Sequence, residues 1–117
     1  MNSLVTLEVG AVPIYADIDP FTWNITAETI ENKITEKTKV IMAVSLFGLP
    51  LNIRPIMNLA KKYNLIVIDD SAETLYGEYN GKFAGTHADL AIYSFENKKI
   101  VNNTDYYTYT FFWINSK

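Results

Sequence analysis

The chain has 117 residues, which is room for one domain. Hydrophobic residues make up 49% and charged residues 20%, which is typical of a folded protein and excludes a disordered or low-complexity chain. The net charge is −3, and the only adjacent basic pairs are Lys61-Lys62 and Lys98-Lys99, so we expect no nucleic-acid partner. The chain contains no cysteine, which excludes disulfides, thiolate zinc sites and a cysteine nucleophile, and a cytoplasmic location is expected.

The sequence predicts neither a secretory signal nor a membrane span. The first basic side chain is Lys33, so no charged segment precedes an apolar one near the start of the sequence. The longest apolar stretch covers residues 40–51, is too short to span a bilayer, and contains Gly48 and Pro50. We therefore expect no contact with a membrane.

The first half of the chain predicts alternating strands and a helix. Residues 12–16 are rich in β-formers and predict a strand, and the following Asp17-Ile18-Asp19-Pro20 is a turn signal. Thr26 is a good N-cap for a helix over residues 26–34, whose apolar side chains fall on one face. The nearly continuous apolar run over 39–46 is typical of a strand buried on both faces of a parallel sheet.

The second half continues the alternation. It contains, in order, a predicted helix over 52–63, a buried strand over 65–68, a hairpin turn at 79–82 and a core strand over 88–95. Asn52 is the predicted N-cap of the helix. This order indicates the α/β class, with right-handed crossovers and a mainly parallel sheet. Ligands of such sheets bind beyond the carboxyl ends of the strands, which here carry residues 45–48, 69–70 and 94–99.

An aromatic tail breaks this pattern. Residues 106–113 hold six of the sixteen aromatic residues of the chain and no charge. Such a run has high β propensity, and we expect it to form an edge strand. If it were exposed, it would favour aggregation.

Three residues near the strand ends are candidates for chemistry, and each has a structural alternative. Asp70 begins the sequence Asp70-Ser-Ala-Glu73, so it is either a helix N-cap or a carboxylate that holds a cationic ligand atom. Lys99 is either a solvated surface lysine or an amine nucleophile that forms a Schiff base. Ser94 hydrogen-bonds either a phosphate or the end of its own strand.

No metal site is expected from the remaining polar residues. His87 is the only histidine, and a role in a surface loop is expected for it. Asp17 and Asp19 have the spacing of metal ligands, but Pro20 and Trp23 after them indicate a turn.

Several segments, in order along the chain, carry a resemblance to a known family. They are Gly-Ala-Val-Pro-Ile-Tyr-Ala-Asp-Ile-Asp at 10–19, the run at 35–48 that ends in Ser-Leu-Phe-Gly, the helix and strand at 56–70, Asp-Ser-Ala-Glu at 70–73 and Tyr-Ser-Phe-Glu-Asn-Lys-Lys at 93–99. Together they resemble the DegT/DnrJ/EryC1/StrS family of pyridoxal-phosphate-dependent sugar aminotransferases. The resemblance implies that the chain forms part of the large domain of a fold-type I transferase.

The resemblance also implies a role for each matching site residue. Asp70 matches the aspartate that pairs with the pyridine nitrogen of the cofactor, and Glu73 matches the residue beside the phenolic oxygen. Ser94 matches the serine that contacts the phosphate. Lys99, five residues later, matches the lysine that forms the Schiff base. The implied activity is amino transfer to a nucleotide-linked keto-sugar, with glutamate as the donor and a homodimer as the assembly.

The chain departs from the family pattern in ways that leave alternatives open. The resemblance covers residues 1–100, a fragment of the large domain, whereas residues 101–117 form an aromatic tail that does not resemble the family. The family's Gly-Thr phosphate segment and small C-terminal domain have no counterpart here. The first alternative is therefore a truncated, non-catalytic remnant or an assembly partner of a split aminotransferase. A general nucleotide-binding α/β module is the second, and no G-x-G-x-x-G or P-loop motif supports it.

Overall fold

A computed structural model describes residues 2–95 and 109–114. The elements in chain order are α1 (Asn2–Glu8), α2 (Ala27–Glu31), β1 (Val40–Val44), α3 (Ile53–Tyr63), β2 (Ile66–Asp70), β3 (Glu78–Tyr79), β4 (Lys82–Phe83), β5 (Leu90–Phe95) and β6 (Tyr109–Ile114).

The main sheet has the strand order β1-β2-β5-β6. β1, β2 and β5 are parallel, whereas β6 runs antiparallel to β5 at the edge of the sheet. The predicted α/β class with a mainly parallel sheet is thus confirmed. The predicted edge strand is confirmed over residues 109–114, while residues 106–108 of the aromatic run lie outside the described residues.

The core lies on one face of this sheet. Side chains alternate between the two faces of a strand, and the odd-numbered positions of β1 and β2, such as Ile41, Ala43 and Val67, are buried. Ile56 and Leu59 of α3 are buried in the same apolar cluster. Each residue of this kind contributes stability mainly through the apolar surface that it removes from water.

The opposite face of the sheet is partly open. Val40 of β1 is 43% exposed and Ile66 of β2 is 49% exposed. These side chains explain the continuous apolar runs in the sequence, because a strand of a parallel sheet is normally covered on both faces. The described residues cover only one of the two faces well.

The helices α2 and α3 begin close to the predicted positions. Thr26 caps α2, since its side chain accepts from the Thr29 N–H and the Thr29 side chain accepts from the Thr26 N–H in return. α2 ends earlier than predicted, at Glu31, because Asn32 is its C-cap and also donates from its side chain to the Glu28 carbonyl. α3 begins at Ile53 and ends at Tyr63, and its C-cap residue Asn64 adopts the left-handed backbone conformation.

Asn52 is the N-cap residue of α3, as predicted. Its side chain makes no capping hydrogen bond, because its Oδ1 instead accepts from the Tyr79 hydroxyl at 2.6 Å. This bond ties the start of α3 to the small hairpin of β3 and β4. The hairpin itself is confirmed: Asn80 and Gly81 both have positive φ, 50° and 75°, as a type I′ turn requires.

The predicted strand over residues 12–16 is also wrong. These residues adopt no regular secondary structure, and Val12 and Ile14 are largely exposed. A run of β-formers becomes a strand only when a neighbouring strand accepts its hydrogen bonds, and Pro13 has no N–H to donate. The only β pairing in this part of the described chain is an isolated bridge between Ile18 and Ile25.

None of the helices in the part of the chain that the structure describes is long and apolar enough to cross a membrane.

Candidate functional site

The candidate site lies at the carboxyl end of β2. Asp70 is the last residue of this strand and is in register with Val44 of β1 and Ile92 of β5. Because residues in register across parallel strands share a face, Asp70 projects to the open face of the sheet. Its neighbour Asp69 consequently projects into the covered face, where it is 2% exposed.

The Asp70 carboxylate is held by two hydrogen bonds from different parts of the chain. Its Oδ2 accepts from the Asn2 side-chain amide at 2.8 Å, and its Oδ1 accepts from the Ala72 backbone N–H at 3.1 Å. The N-cap interpretation of Asp70 is wrong, because a turn rather than a helix follows it over residues 71–77. The carboxylate is therefore oriented by local turn geometry and by a contact with α1.

Glu73 takes part in a different contact. Its Oε2 accepts from the Phe47 backbone N–H at 3.3 Å, so it connects the loop after β2 to the loop after β1. The Phe47 ring is 78% exposed and meets the Trp23 ring edge-on at 6.3 Å. Phe47 and Trp23 both have positive φ, which is uncommon for bulky side chains and concentrates at sites where surrounding structure fixes the backbone.

Asn24 fixes the loop that carries Phe47. Asn24 is buried, its side-chain amide donates to the Leu49 carbonyl at 3.1 Å, and its Oδ1 accepts from the Leu46 N–H at 3.1 Å. Both backbone groups belong to the loop after β1. One buried side chain thus determines the shape of this loop at the carboxyl edge of the sheet.

Ser94 lies on the same face of the sheet as Asp70. It is two residues beyond Ile92, the register partner of Asp70, so it is displaced by about 7 Å along the neighbouring strand. Ser94 is partly exposed and pairs with Thr110 of β6. The fourth predicted site residue, Lys99, lies outside the described residues.

Asp69 has a structural role on the covered face. Its Oδ1 accepts from the hydroxyls of Ser71 at 3.0 Å and Ser45 at 3.3 Å, and its Oδ2 accepts from the Gly85 N–H at 2.9 Å. Burial raises the pKa of Asp69, and these three hydrogen bonds oppose the rise. The carboxyl thereby joins the ends of β1 and β2 to the segment that precedes β5.

Tyr93 packs beside this network. Its hydroxyl donates to the Ala84 carbonyl at 2.6 Å, and burial followed by the nearby Asp69 charge raises the pKa of the phenol. Gly85 has a φ of +86°, and an added Cβ there would collide with the Tyr93 hydroxyl and lie 2.8 Å from the Cβ of Ala91. The segment therefore requires glycine at this position.

His87 and Asp19, for which no catalytic or metal-binding role is expected, have structural roles. His87 packs edge-on against the Tyr79 ring at 5.5 Å, and its Nε2 lies 2.9 Å from the Tyr79 carbonyl oxygen. The turn expected at Asp19 is confirmed, because its Oδ1 accepts from the backbone N–H groups of Phe21 and Thr22. These bonds lower the pKa of Asp19, that from Thr22 most strongly.

Sequence reasoning missed Asn2 and Asn24. Asn2 is 68 residues from Asp70, and no local spacing in the sequence predicts their contact. Asn24 sits between two predicted elements, where a polar side chain is usually exposed. The one available signal is the position of Asn24. It lies between the turn predicted at residues 17–20 and the helix cap Thr26.

The geometry suits a ligand that has both a positively charged group and a negatively charged group. A carboxylate on the open face can accept a hydrogen bond from a protonated ring nitrogen, and the Ser94 hydroxyl on the same face can donate to a phosphate. Strand ends in a parallel sheet are the usual location of such a site. The fold is part of the large domain of a fold-type I pyridoxal-phosphate-dependent transferase, because the chain is closely similar in structure to solved aminotransferases.

The chain belongs to the DegT/DnrJ/EryC1/StrS aminotransferase family, whose model matches residues 3–105. It is 46% identical over 92 residues to a GDP-perosamine synthase of Escherichia coli O157:H7, a match that covers 79% of this chain and 25% of that protein. It is 40% identical over 89 residues to a UDP-N-acetyl-3-dehydro-alpha-D-glucosamine 3-aminotransferase of Acidithiobacillus ferrooxidans, covering 76% of this chain and 24% of that protein. The chain thus spans about a quarter of the length of these relatives.

Two solved structures also superpose on this chain. An aminotransferase from Psychrobacter cryohalolentis superposes with a TM-score of 0.90 at 35% identity, over 95% of this chain and 28% of that one. An Escherichia coli GDP-4-keto-6-deoxy-D-mannose-3-dehydratase with bound hydrated PLP superposes with a TM-score of 0.70 at 29% identity, over 77% of this chain and 23% of that one. The cofactor implied by the resemblance is therefore present in a structural relative.

Proposed function

We propose that the chain forms the cofactor-binding part of a pyridoxal-phosphate-dependent aminotransferase that acts on a nucleotide-linked keto-sugar, with glutamate as the amino donor. Family membership over residues 3–105 and the nucleotide-sugar names of the relatives support this proposal. The observation that carries it is the position of Asp70, a carboxylate oriented by two hydrogen bonds at the carboxyl end of a central parallel strand.

The polar groups available at this edge fit pyridoxal phosphate. Asp70 would accept a hydrogen bond from the ring nitrogen and so favour its protonated form, and Ser94 would donate its hydroxyl to the phosphate. Glu73 is exposed near the end of β2 and would border the ring. When bound, pyridoxal phosphate supplies an electron sink for the negative charge that develops on the substrate carbon.

Lys99 completes the proposed site. Its amine would hold the cofactor covalently and, when free, would act as the base that moves a proton at the substrate carbon. Lys99 follows Ser94 by five residues in the sequence, which is the spacing of the family motif that residues 93–99 resemble.

A second candidate function is that of an assembly partner in a split aminotransferase. The open apolar face of the sheet, with Val40 and Ile66 almost half exposed, favours it. In either case we propose residues 1–100 as the family part and an aromatic tail within residues 101–117 that lies outside it; the match to the family model ends at residue 105. A homodimer and a cytoplasmic location are the parts of the proposal that rest on the family resemblance alone.

Covalent trapping tests the proposed function. The purified chain is incubated with pyridoxal phosphate, reduced with borohydride and digested, and the modified lysine is identified by peptide mass spectrometry. We expect selective labelling of Lys99. Lys98→Ala is the matched control, because it removes the adjacent amine and should leave the labelling unchanged, whereas Lys99→Ala should abolish it.

Asp70→Ala tests the residue that carries the proposal. It should reduce the labelling of Lys99, since the ring nitrogen loses its partner. Equal labelling of Lys61, Lys82, Lys98 and Lys99 would show that the chain has no cofactor site. Selective labelling of Lys99 that is indifferent to Asp70→Ala would show that Asp70 does not hold the ring nitrogen. Selective labelling without turnover of any keto-sugar by the chain alone would favour the assembly partner.

A further inference from the structure

The contact between Asn2 and Asp70 stands apart from the other contacts of α1. The Asn2 amide donates to Asp70 Oδ2 at 2.8 Å in a partly buried setting. No residue of α1 is buried, and its apolar side chains Leu4 and Leu7 are 64% and 56% exposed. The helix therefore contributes little apolar burial of its own, and its described side-chain hydrogen bond to the rest of the chain is directed at the candidate site.

The chemistry of the two hydrogen-bond donors matters for Asp70. Asn2 and Ala72 each donate to a different carboxylate oxygen, which fixes the plane of the group. An ionised carboxylate has about four acceptor positions, so two donors leave room for a third. Both donors are neutral, and within the described residues the one salt bridge, between Lys62 and Glu31, does not involve Asp70. The negative charge of Asp70 thus stays available for a cationic ligand atom.

We propose that Asn2 is a positioning residue for Asp70: its side-chain amide holds the carboxylate in the orientation that receives the protonated ring nitrogen. This inference rests on the proposed function of Asp70. Asn2 does not touch the cofactor, so its whole effect on cofactor binding passes through the carboxylate.

A double-mutant cycle on cofactor affinity tests this inference. Pyridoxal phosphate is titrated into the full chain, and the dissociation constant is measured from the absorbance of the bound cofactor. Asn2→Ala should weaken binding about tenfold, the usual effect of losing one hydrogen bond to a charged group. Asp70→Ala should weaken it more, and adding Asn2→Ala to Asp70→Ala should then change nothing further.

Three further variants separate positioning from folding. Thr6→Val removes the hydrogen bond from the Thr6 hydroxyl to the Asn2 carbonyl and leaves the Asp70 contact in place, so it should bind the cofactor like wild type. Asn2→Asp keeps the size of the side chain but cannot donate at neutral pH, so it should weaken binding at least as much as Asn2→Ala. Asn2→Gln retains the amide on a longer stem, and we expect it to restore part of the affinity.

A second readout reports the orientation of Asp70 rather than affinity. The ratio of the two absorption bands of the bound cofactor is recorded across pH, since it depends on how well the ring nitrogen is held protonated. Asn2→Ala should move this pH profile in the same direction as Asp70→Ala, by a smaller amount. Thr6→Val should not move it.

The outcomes distinguish the inference from the proposed function. Wild-type affinity and an unchanged pH profile in Asn2→Ala would overturn the positioning role and leave the proposed function intact. An effect of Asn2→Ala that persists in the Asp70→Ala background would also overturn it, because Asn2 would then act through the fold. Failure of the wild-type chain to bind the cofactor would overturn the proposed function together with this inference.

Discussion

Asp69 and Asp70 are adjacent in the sequence, yet their carboxylates lie on opposite faces of the same sheet and meet different surroundings. Asp69 is buried and bound by Ser45, Ser71 and Gly85, whereas Asp70 faces the open side and is held by the Asn2 amide and the Ala72 N–H. The alternation of side chains along a strand produces this division of roles. One carboxylate stabilises the strand end, and the next is available to a ligand.

The raised pKa of Asp69 predicts a pH dependence of stability. Since burial raises the pKa of Asp69 above its ordinary value of 3.8, the folded state binds the proton more tightly than the unfolded state does. The stability contributed by this proton is fully present below the unfolded pKa and is lost as the pH rises through the folded pKa. Asp69→Asn does not titrate, so its free energy of unfolding relative to wild type should improve as the pH rises from about 4 to about 7.

Chemical denaturation at several pH values measures this difference. Asp69→Ala removes all three hydrogen bonds and should be destabilised by about 2–4 kcal/mol at low pH. Because alanine does not titrate either, its difference from wild type should shrink with rising pH as that of Asp69→Asn does. A difference between wild type and Asp69→Asn that stays constant with pH would contradict the assigned direction of the pKa.

Gly85→Ala should destabilise the fold strongly. The added Cβ meets the Tyr93 hydroxyl and Ala91, and the φ of +86° is strained for any side chain, so we expect a loss of about 2–5 kcal/mol in the free energy of unfolding. Gly81→Ala is the control, because Gly81 also has a positive φ but no neighbour near an added Cβ. Its cost should be about 1–2 kcal/mol. Equal losses in the two variants would show that Gly85 is not closely packed.

Asn24→Ala should loosen the loop after β1. The substitution leaves the partly buried Leu46 N–H and the Leu49 carbonyl without the Asn24 side chain as their partner, which costs about 1–3 kcal/mol. Hydrogen exchange at the Phe47 amide should rise as well, because that amide depends on the same loop for its bond to Glu73. Asn32→Ala is the control. It removes the hydrogen bond that the exposed Asn32 side-chain amide donates to the Glu28 carbonyl, and hydrogen exchange at the Phe47 amide should stay unchanged.

The open sheet face predicts self-association. Because Val40 and Ile66 leave apolar surface in water, the isolated chain should form oligomers or aggregates, measured by sedimentation velocity. Charges at both positions, Val40→Lys with Ile66→Lys, should shift the distribution toward monomer. Phe21→Lys is the control, since Phe21 is 91% exposed but belongs to a turn and to no strand of the sheet. A monodisperse wild-type monomer would contradict this prediction.

Local features of the sequence predicted most of the described secondary structure. The apolar runs correctly predicted the three parallel strands, Thr26 the start of α2, and Asn80-Gly81 the hairpin. These features succeed because propensity, capping and turn chemistry depend on residues close in sequence. The strand over residues 12–16 failed for the opposite reason, since strand formation depends on a distant neighbour.

The residues of the candidate site were predicted from the sequence, whereas their arrangement came from the tertiary structure. Spacing and resemblance selected Asp70, Glu73, Ser94 and Lys99, and the structure places the first three at the carboxyl edge of the sheet, with Lys99 outside the described residues. The roles stay predictions. The N-cap interpretation of Asp70 failed because the residues after it turn toward the hairpin instead of continuing as a helix.

The sequence by itself determined the α/β class, the order of α2, β1, α3, β2 and β5, and the family to which the chain is similar, because periodicity and motifs are properties of the chain alone. Only the tertiary structure decided which of two adjacent aspartates faces the open side, and which distant side chain holds it. That choice depends on strand register and on the contact between Asn2 and Asp70, which are separated by 68 residues. Such contacts arise from the packing of whole elements, and no local pattern encodes them.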